Sequence, residues 1–293
     1  MKRVLFYAFL LEALLCPGKE LTWDITNQIV TLKFSPAISR ISYFGRTNGP
    51  NALWMNPEKK EAVFAGSKPW INHGGERFWP LPALTIAAAF ESGWPPPECF
   101  ENIKWKIKNR TSNTLEIESE CIQELGIVLN RRFHLPPGRA SVEFRNTMIR
   151  LKKNHIPVQI WLTAQLPEPE YCIASPPAEY PGWRKLNLLN QNWKGVTIRE
   201  HKIVFEPDQI LQGAKIGFFA EAAVAVYPGY LFIQKTMFRS DFCYPECSNM
   251  QLYGNPVGNF GKYMEIELLG DYANLKTGEA TSLFSSWELI LRK

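Results

Sequence analysis

Residues 140–150 read ASVEFRNTMIR and residues 158–165 read VQIWLTAQ. In the first stretch Val142, Phe144 and Met148 alternate with Glu143, Arg145 and Thr147. In the second, Val158, Ile160, Leu162 and Ala164 share one face, opposite Gln159, Trp161, Thr163 and Gln165. A strand sends successive side chains to opposite faces, so apolar residues at every second position mark a half-buried strand. The same period runs through Asn113–Cys121, where Leu115, Ile117 and Cys121 oppose Glu116, Glu118 and Glu120. It returns near the end, where Met264, Ile266 and Leu268 oppose Glu265 and Glu267. Turn signals punctuate the runs at Pro136-Pro137-Gly138, Pro228-Gly229 and Lys276-Thr277-Gly278. Strands so spaced predict an all-β fold, a large antiparallel β-sandwich.

Composition agrees. Of 293 residues, 45% are hydrophobic and 21% charged, the balance of a chain that buries a core. With 22 prolines and 19 glycines a helical bundle is disfavoured, and 18 Phe, 10 Tyr and 10 Trp favour strands. No βαβ alternation and no phosphate-cradling glycine loop occurs, so no cofactor is expected. The net charge is only +5, which argues against a nucleic-acid partner. Arg150, Lys152 and Lys153 form the nearest approach to a basic run and read as a solvated turn.

Lys2 and Arg3 precede an apolar run from Val4 to Leu15, the order of a secretory leader, although Glu12 interrupts it. Residues 1–22 are therefore read as a signal peptide or an N-terminal extension, and 23–293 as one sandwich domain. A cleaved leader implies a periplasmic or secreted protein, and an uncleaved segment a cytoplasmic one. No stretch of the main domain approaches the ~20 apolar residues of a membrane-spanning helix. Six cysteines include one close spacing, Cys243–Cys247, but no pair of CxxC motifs. No metal site is expected, and the thiols are read as free.

One stretch breaks the regularity. Lys68–Asn102 reads KPWINHGGERFWPLPALTIAAAFESGWPPPECFEN. Apart from a short helix expected over Ala83–Phe90, it looks like a long irregular loop, of the kind that often binds ligands. Asn72, His73, Glu76 and Arg77 put donors, acceptors and a fixed positive charge within six residues, beside two glycines. Trp79 and Trp94 supply flat apolar faces. Hydroxyl edges and C–H faces of a sugar want such a mixture. The competing reading is a structural loop whose aromatics plug one end of the sandwich.

The second informative stretch is Lys262–Gly270, KYMEIELLG. Glu265 and Glu267 share a strand face about 6.5–7 Å apart. Lining a cleft, they would repel one another, and burial would raise the pKa of at least one, tuning it for proton transfer. A pair at this spacing also suits glycoside hydrolysis. The bland readings are a solvated face or a cross-strand salt bridge to Lys215, Lys235 or Arg239.

These segments, in this order, resemble the galactose mutarotase-like (aldose 1-epimerase-like) superfamily and, within it, the bacterial DUF4380 family. The stretches that carry the likeness are NALW at 51–54, NHGGERFWP at 72–80, GWPPP at 93–97, KIG at 215–217, MQLYGNP at 250–256 and EIELLGDYANLKTGEA at 265–280. The resemblance implies a supersandwich with a sugar-binding cleft. It points to Glu267 as base on the anomeric hydroxyl and to His73 in the matching L-H-G-G position, the two catalytic candidates. It implies a second histidine on a middle strand, where this chain has Trp161–Gln165; Gln165 can hydrogen-bond a sugar but supplies no proton near neutrality. His134, His155 and His201 match no motif position and read as surface or turn residues. Asn72, Glu76, Arg77, Trp79, Trp94, Gln165, Lys215, Tyr253 and Glu265 complete the expected ligand-binding set. The partner expected is a mono- or oligosaccharide. The function expected is carbohydrate binding with epimerase-type proton transfer. The alternatives are a non-catalytic carbohydrate-binding module, or a glycosidase or lyase using Glu265 and Glu267.

Overall fold

The structure is a computed structural model that describes residues 21–58, 61–62, 69–90, 95–186, 195–207, 213–255 and 261–292. The leader-like residues 1–20, with Cys16, and Trp94 lie outside the described residues.

The first strands are β1 (Trp23–Thr26), β2 (Val30–Ser35), β3 (Arg40–Arg46), β4 (Glu61–Ala62), β5 (Trp70–Ile71) and β6 (Glu76–Trp79). Helices α1 (Ala83–Ala89) and α2 (Glu98–Glu101) follow. The central strands are β7 (Trp105–Arg110), β8 (Thr114–Ser119), β9 (Ile127–His134), β10 (Ser141–Arg150), β11 (Val158–Leu166), β12 (Tyr171–Ala174) and β13 (Arg184–Lys185). The last are β14 (Val196–Arg199), β15 (Lys202–Phe205), β16 (Ala214–Phe218), β17 (Ala222–Val226), β18 (Tyr230–Thr236), β19 (Met250–Asn255), β20 (Tyr263–Ala273) and β21 (Ala280–Leu291). Nineteen of them form a nine-stranded sheet ordered β1-β2-β3-β6-β11-β20-β19-β16-β13 and a ten-stranded sheet ordered β14-β15-β12-β17-β18-β21-β10-β9-β8-β7, and β4 pairs with β5 in a separate two-stranded sheet. Every pairing of named strands is antiparallel, so the expected large antiparallel sandwich is the observed architecture.

The alternating residues meet between the sheets. Phe34 and Phe44 of the nine-stranded sheet pack on Phe133 and Trp287 of the ten-stranded one, at ring-centroid distances of 6.1 and 5.5 Å. Phe144 joins them, 4.6 Å from Trp287. Strand β10 follows most of its predicted alternation: Val142, Phe144 and Met148 are buried and Glu143 and Arg145 are exposed, whereas Thr147, predicted on the polar face, is buried. Strands β11 and β20 differ, because both of their faces are covered: all of Val158–Leu166 is buried, and so are Glu265 and Glu267. The solvated glutamate face is therefore not the observed one.

Three further expectations are corrected. The segment ERFW at 76–79, read as loop, is strand β6 near the middle of its sheet. It shows no alternation because both faces are covered and each carries one charged and one aromatic residue, Glu76 with Phe78 and Arg77 with Trp79. Glu76, expected among the ligand-binding residues, points between the sheets. There Arg131 Nη2 donates to both of its oxygens at 2.7 and 2.8 Å, and Arg131 Nε donates to Asn146 Oδ1 at 2.8 Å. Arg150 is fully buried instead of solvated, and its guanidinium donates to the carbonyls of Leu125, Leu275 and Ile156. The five described cysteines are free, including Cys243 and Cys247.

The two glycines of NHGG work on the fold. Gly74 and Gly75 have φ of +82° and +73°, a region open to glycine and costly for other residues. Gly75 N donates to Trp54 O at 2.7 Å, and Gln165 N donates to Gly75 O at 2.9 Å, tying the turn to the middle of the sheet. A Cβ on Gly74 would stand 2.5 Å from Trp54 O. Gly74→Ala is expected to cost at least about 1–3 kcal/mol from the backbone conformation alone. A urea melt with an unchanged midpoint would refute this.

Candidate functional site

The candidate residues gather on the face of the nine-stranded sheet that points away from the ten-stranded one. Directly paired residues of antiparallel strands share a face. One row across the sheet runs Arg40, Arg77, Thr163, Glu267, Gln251, Gly217, Arg184. A second runs Gln165, Glu265, Tyr253, Lys215. A third pairs Trp79 with Trp161 and Leu269. Segments nearly two hundred positions apart in the chain thus become neighbouring strands.

Glu267 is fully buried. Its Oε2 accepts from Lys215 Nζ at 2.9 Å and from the indole N–H of Trp161. Its Oε1 is buried and has no hydrogen-bond partner among the described residues. Of the salt-bridge partners foreseen for the pair, Lys215 is the one used; Lys235 pairs with Glu288 and Arg239 with Asp241. Lys215 also lies 5.3 Å from the centroid of Trp161.

Glu265 accepts through Oε1 from Gln165 Nε2 at 2.7 Å and from Arg77 Nη2 at 3.3 Å. Burial raises its pKa to about 7, against the opposing pull of Arg77 and with a further upward push from Glu267. Because the folded state holds this proton more tightly than the unfolded chain, the contribution to stability is full below the ordinary carboxylate range. It is lost as pH rises toward 7 and beyond. Stability measured by denaturant from pH 4.5 to 8 is therefore expected to carry a falling component that Glu265→Gln abolishes. The same pH dependence in both chains would exclude that assignment.

Arg77 stacks on Trp79, with 4.4 Å from Cζ to the ring centroid, and Trp79 meets Trp161 edge-on at 5.2 Å. Tyr253 donates to Asn255 Oδ1 at 3.0 Å, and burial followed by Glu265 and Glu267 raises its pKa. Several buried polar atoms of this face lack partners among the described residues: Arg77 Nε and Nη1, Thr163 Oγ1, Gln165 Oε1 and Gln251 Oε1. Buried polar groups are nearly always satisfied, so this face carries an unusual concentration of unused hydrogen-bonding capacity.

The sheet thus brings together Arg77, Trp79, Gln165, Lys215, Tyr253, Glu265 and Glu267, and sends Glu76 to the other side. Asn72 and His73 stand in the turn before β6. Asn72 is buried, with Oδ1 accepting from Gly74 N at 3.3 Å, and His73 is half-buried, its carbonyl accepting from Asn56 N at 3.1 Å. Trp161, Thr163 and Gln251 were not among the expected site residues. The signal for the first two was present, as the polar face of β11, opposite its aliphatic one. Among the described residues no group of three or more His, Cys, Asp and Glu side chains is placed to hold a metal, and no helix is long and apolar enough to cross a membrane.

Comparison with solved structures identifies the fold as galactose mutarotase-like. A galactose mutarotase-like protein from Lactobacillus casei superposes with a TM-score of 0.63 at 10% identity, over 92% of this chain and 100% of that one. A galactose mutarotase related enzyme from Lactobacillus acidophilus gives 0.59 at 9% identity, over 93% and 98%. A TPR-domain containing protein from Parabacteroides distasonis gives 0.64 at 14% identity, over 92% of this chain and 47% of that one. At such identities the likeness concerns the fold. Comparisons with protein-family models and with curated proteins returned no match.

Proposed function

We propose that this protein binds a carbohydrate on the outer face of its nine-stranded sheet and that Glu267 exchanges a proton with it, as in aldose epimerisation. The observation that carries this reading is the convergence of Glu267, Glu265, Arg77 and Gln165 on adjacent strands beside two tryptophans. Oε1 of Glu267 is the lone-pair acceptor for an anomeric hydroxyl. Lys215 and Trp161 hold the other oxygen and fix the orientation of the carboxylate. Arg77 and Gln165 present donors and an acceptor for ring oxygen and hydroxyls, with Asn72, His73 and Tyr253 at the margins. The indoles of Trp79 and Trp161 supply the apolar wall. The narrower reading as a DUF4380 protein rests on the motif stretches alone.

A second reading, binding without turnover, is favoured by Gln165 standing where the resemblance implies a histidine. Loss of a general acid removes a factor of about 10²–10⁴ in rate. Calorimetry against a panel of aldoses, paired with polarimetric mutarotation of every binder, separates the two. Binding with no acceleration over buffer supports the second reading, and no binding to any sugar defeats both.

A further inference from the structure

Arg40 belongs to none of the roles above. It stands on β3 in register with Arg77 on β6, so two guanidinium-bearing residues sit on neighbouring strands, about 5 Å apart at the backbone. Arg40 is 1% exposed and Arg77 4%. Each reaches a carboxylate through Nη2 only: Arg40 to Glu101 at 2.7 Å, Arg77 to Glu265 at 3.3 Å. On both side chains Nε and Nη1 are buried and have no acceptor among the described residues.

A guanidinium has five N–H donors in a rigid fork, and its best partners are the paired oxygens of a carboxylate or phosphate. Two such forks side by side repel one another. Burial chiefly, and Arg77 as well, push the Arg40 pKa downward, against the upward pull of Glu101 and Glu76. Near neutrality Glu265 is only partly ionised, since its pKa is held at about 7, so Arg77 faces an incompletely charged partner. A neutral hydroxyl satisfies one or two of these free donors, whereas the paired oxygens of an anion satisfy several at once. Glu101 Oε1, likewise buried and unpartnered among the described residues, adds an acceptor beside the forks, which suits a hydroxyl next to the anionic group.

We propose that Arg40 and Arg77 together receive the acidic group, carboxylate or phosphate, of an anionic sugar, with Glu101 accepting an adjacent hydroxyl. This rests on the sugar reading of the same face and narrows its substrate class.

The test is calorimetry on the full chain with matched ligands: glucose, glucuronate and glucose 6-phosphate, the galactose counterparts, and inorganic phosphate and glycolate as anions without a ring. One anionic form is expected to bind about tenfold or more tighter than its neutral sugar. The uronate and phosphate arms tell which acid is recognised. Arg40→Gln should erase the preference, Arg40→Lys should restore it only in part because it keeps the charge and loses the fork, and Glu101→Gln should tighten the anion. The wild-type comparison needs no variant, so poor folding of Arg40→Gln does not block the test. Equal binding of neutral and anionic sugars overturns the proposal and leaves the sugar reading intact. Arg40-dependent binding of phosphate or glycolate, with no sugar bound, keeps the anion site and defeats the sugar reading. No binding of any probe overturns both.

Discussion

Arg131→Met is expected to destabilise the protein by about 3–5 kcal/mol, because it strands the Glu76 carboxylate between the two sheets. Glu76 is 2% exposed, and Arg131 grips both of its oxygens. Burial already pushes the Glu76 pKa upward, and Arg131 is the largest opposing influence. Without the guanidinium the site must either hold an unpaired charge or take up a proton, and each lowers stability near neutrality. The double variant Glu76→Gln/Arg131→Met removes the stranded charge and is expected to recover a large part of the loss. The measurement is the urea midpoint of both variants at pH 7. Equal midpoints for the wild type and Arg131→Met would show that the pair adds nothing to the fold.

The second large effect belongs to Glu267→Gln. On the proposed mechanism the amide keeps a hydrogen-bonding atom near Trp161 and Lys215 but can no longer accept a proton. The kcat for mutarotation is expected to fall by about 10²–10⁴, with KM changing much less. The amide also leaves Lys215 without its counter-charge, so the variant must be shown folded by its near-ultraviolet dichroism. A KM-only defect would move Glu267 from proton transfer to binding. An unchanged rate would remove it from the chemistry altogether.

Much of the sandwich is legible in the chain because strands β8 and β10 have one dry face and one wetter face. Their alternation is imprinted on the sequence by water. That imprint fails where both faces are covered. Strand β6 carries four buried residues and reads as loop, although Arg77 and Glu76 point to opposite sides of the sheet. The same failure hides Arg40 and Arg131, whose burial no local pattern announces. Glycines 74 and 75 announced a tight turn, and the turn packs against the backbone of Trp54 and Ile41.

The candidate site divides along the same line. Glu265 and Glu267 are spaced to share a face whatever they meet, and Gln165 shares one with Trp161 and Thr163, because a strand has period two. That much belongs to the sequence. Which side is the interior, which lysine reaches Glu267 and which arginine stands beside Arg77 depend on strand order and register. These follow from long-range pairing of segments such as β6 and β20, whose contacting residues Arg77 and Glu265 lie 188 positions apart. Short-range chemistry decides that a segment becomes a strand. Only the closing of the two sheets over one shared core decides its neighbours, since hydrogen bonds between backbones are alike at every register and side-chain burial and turn geometry select among them.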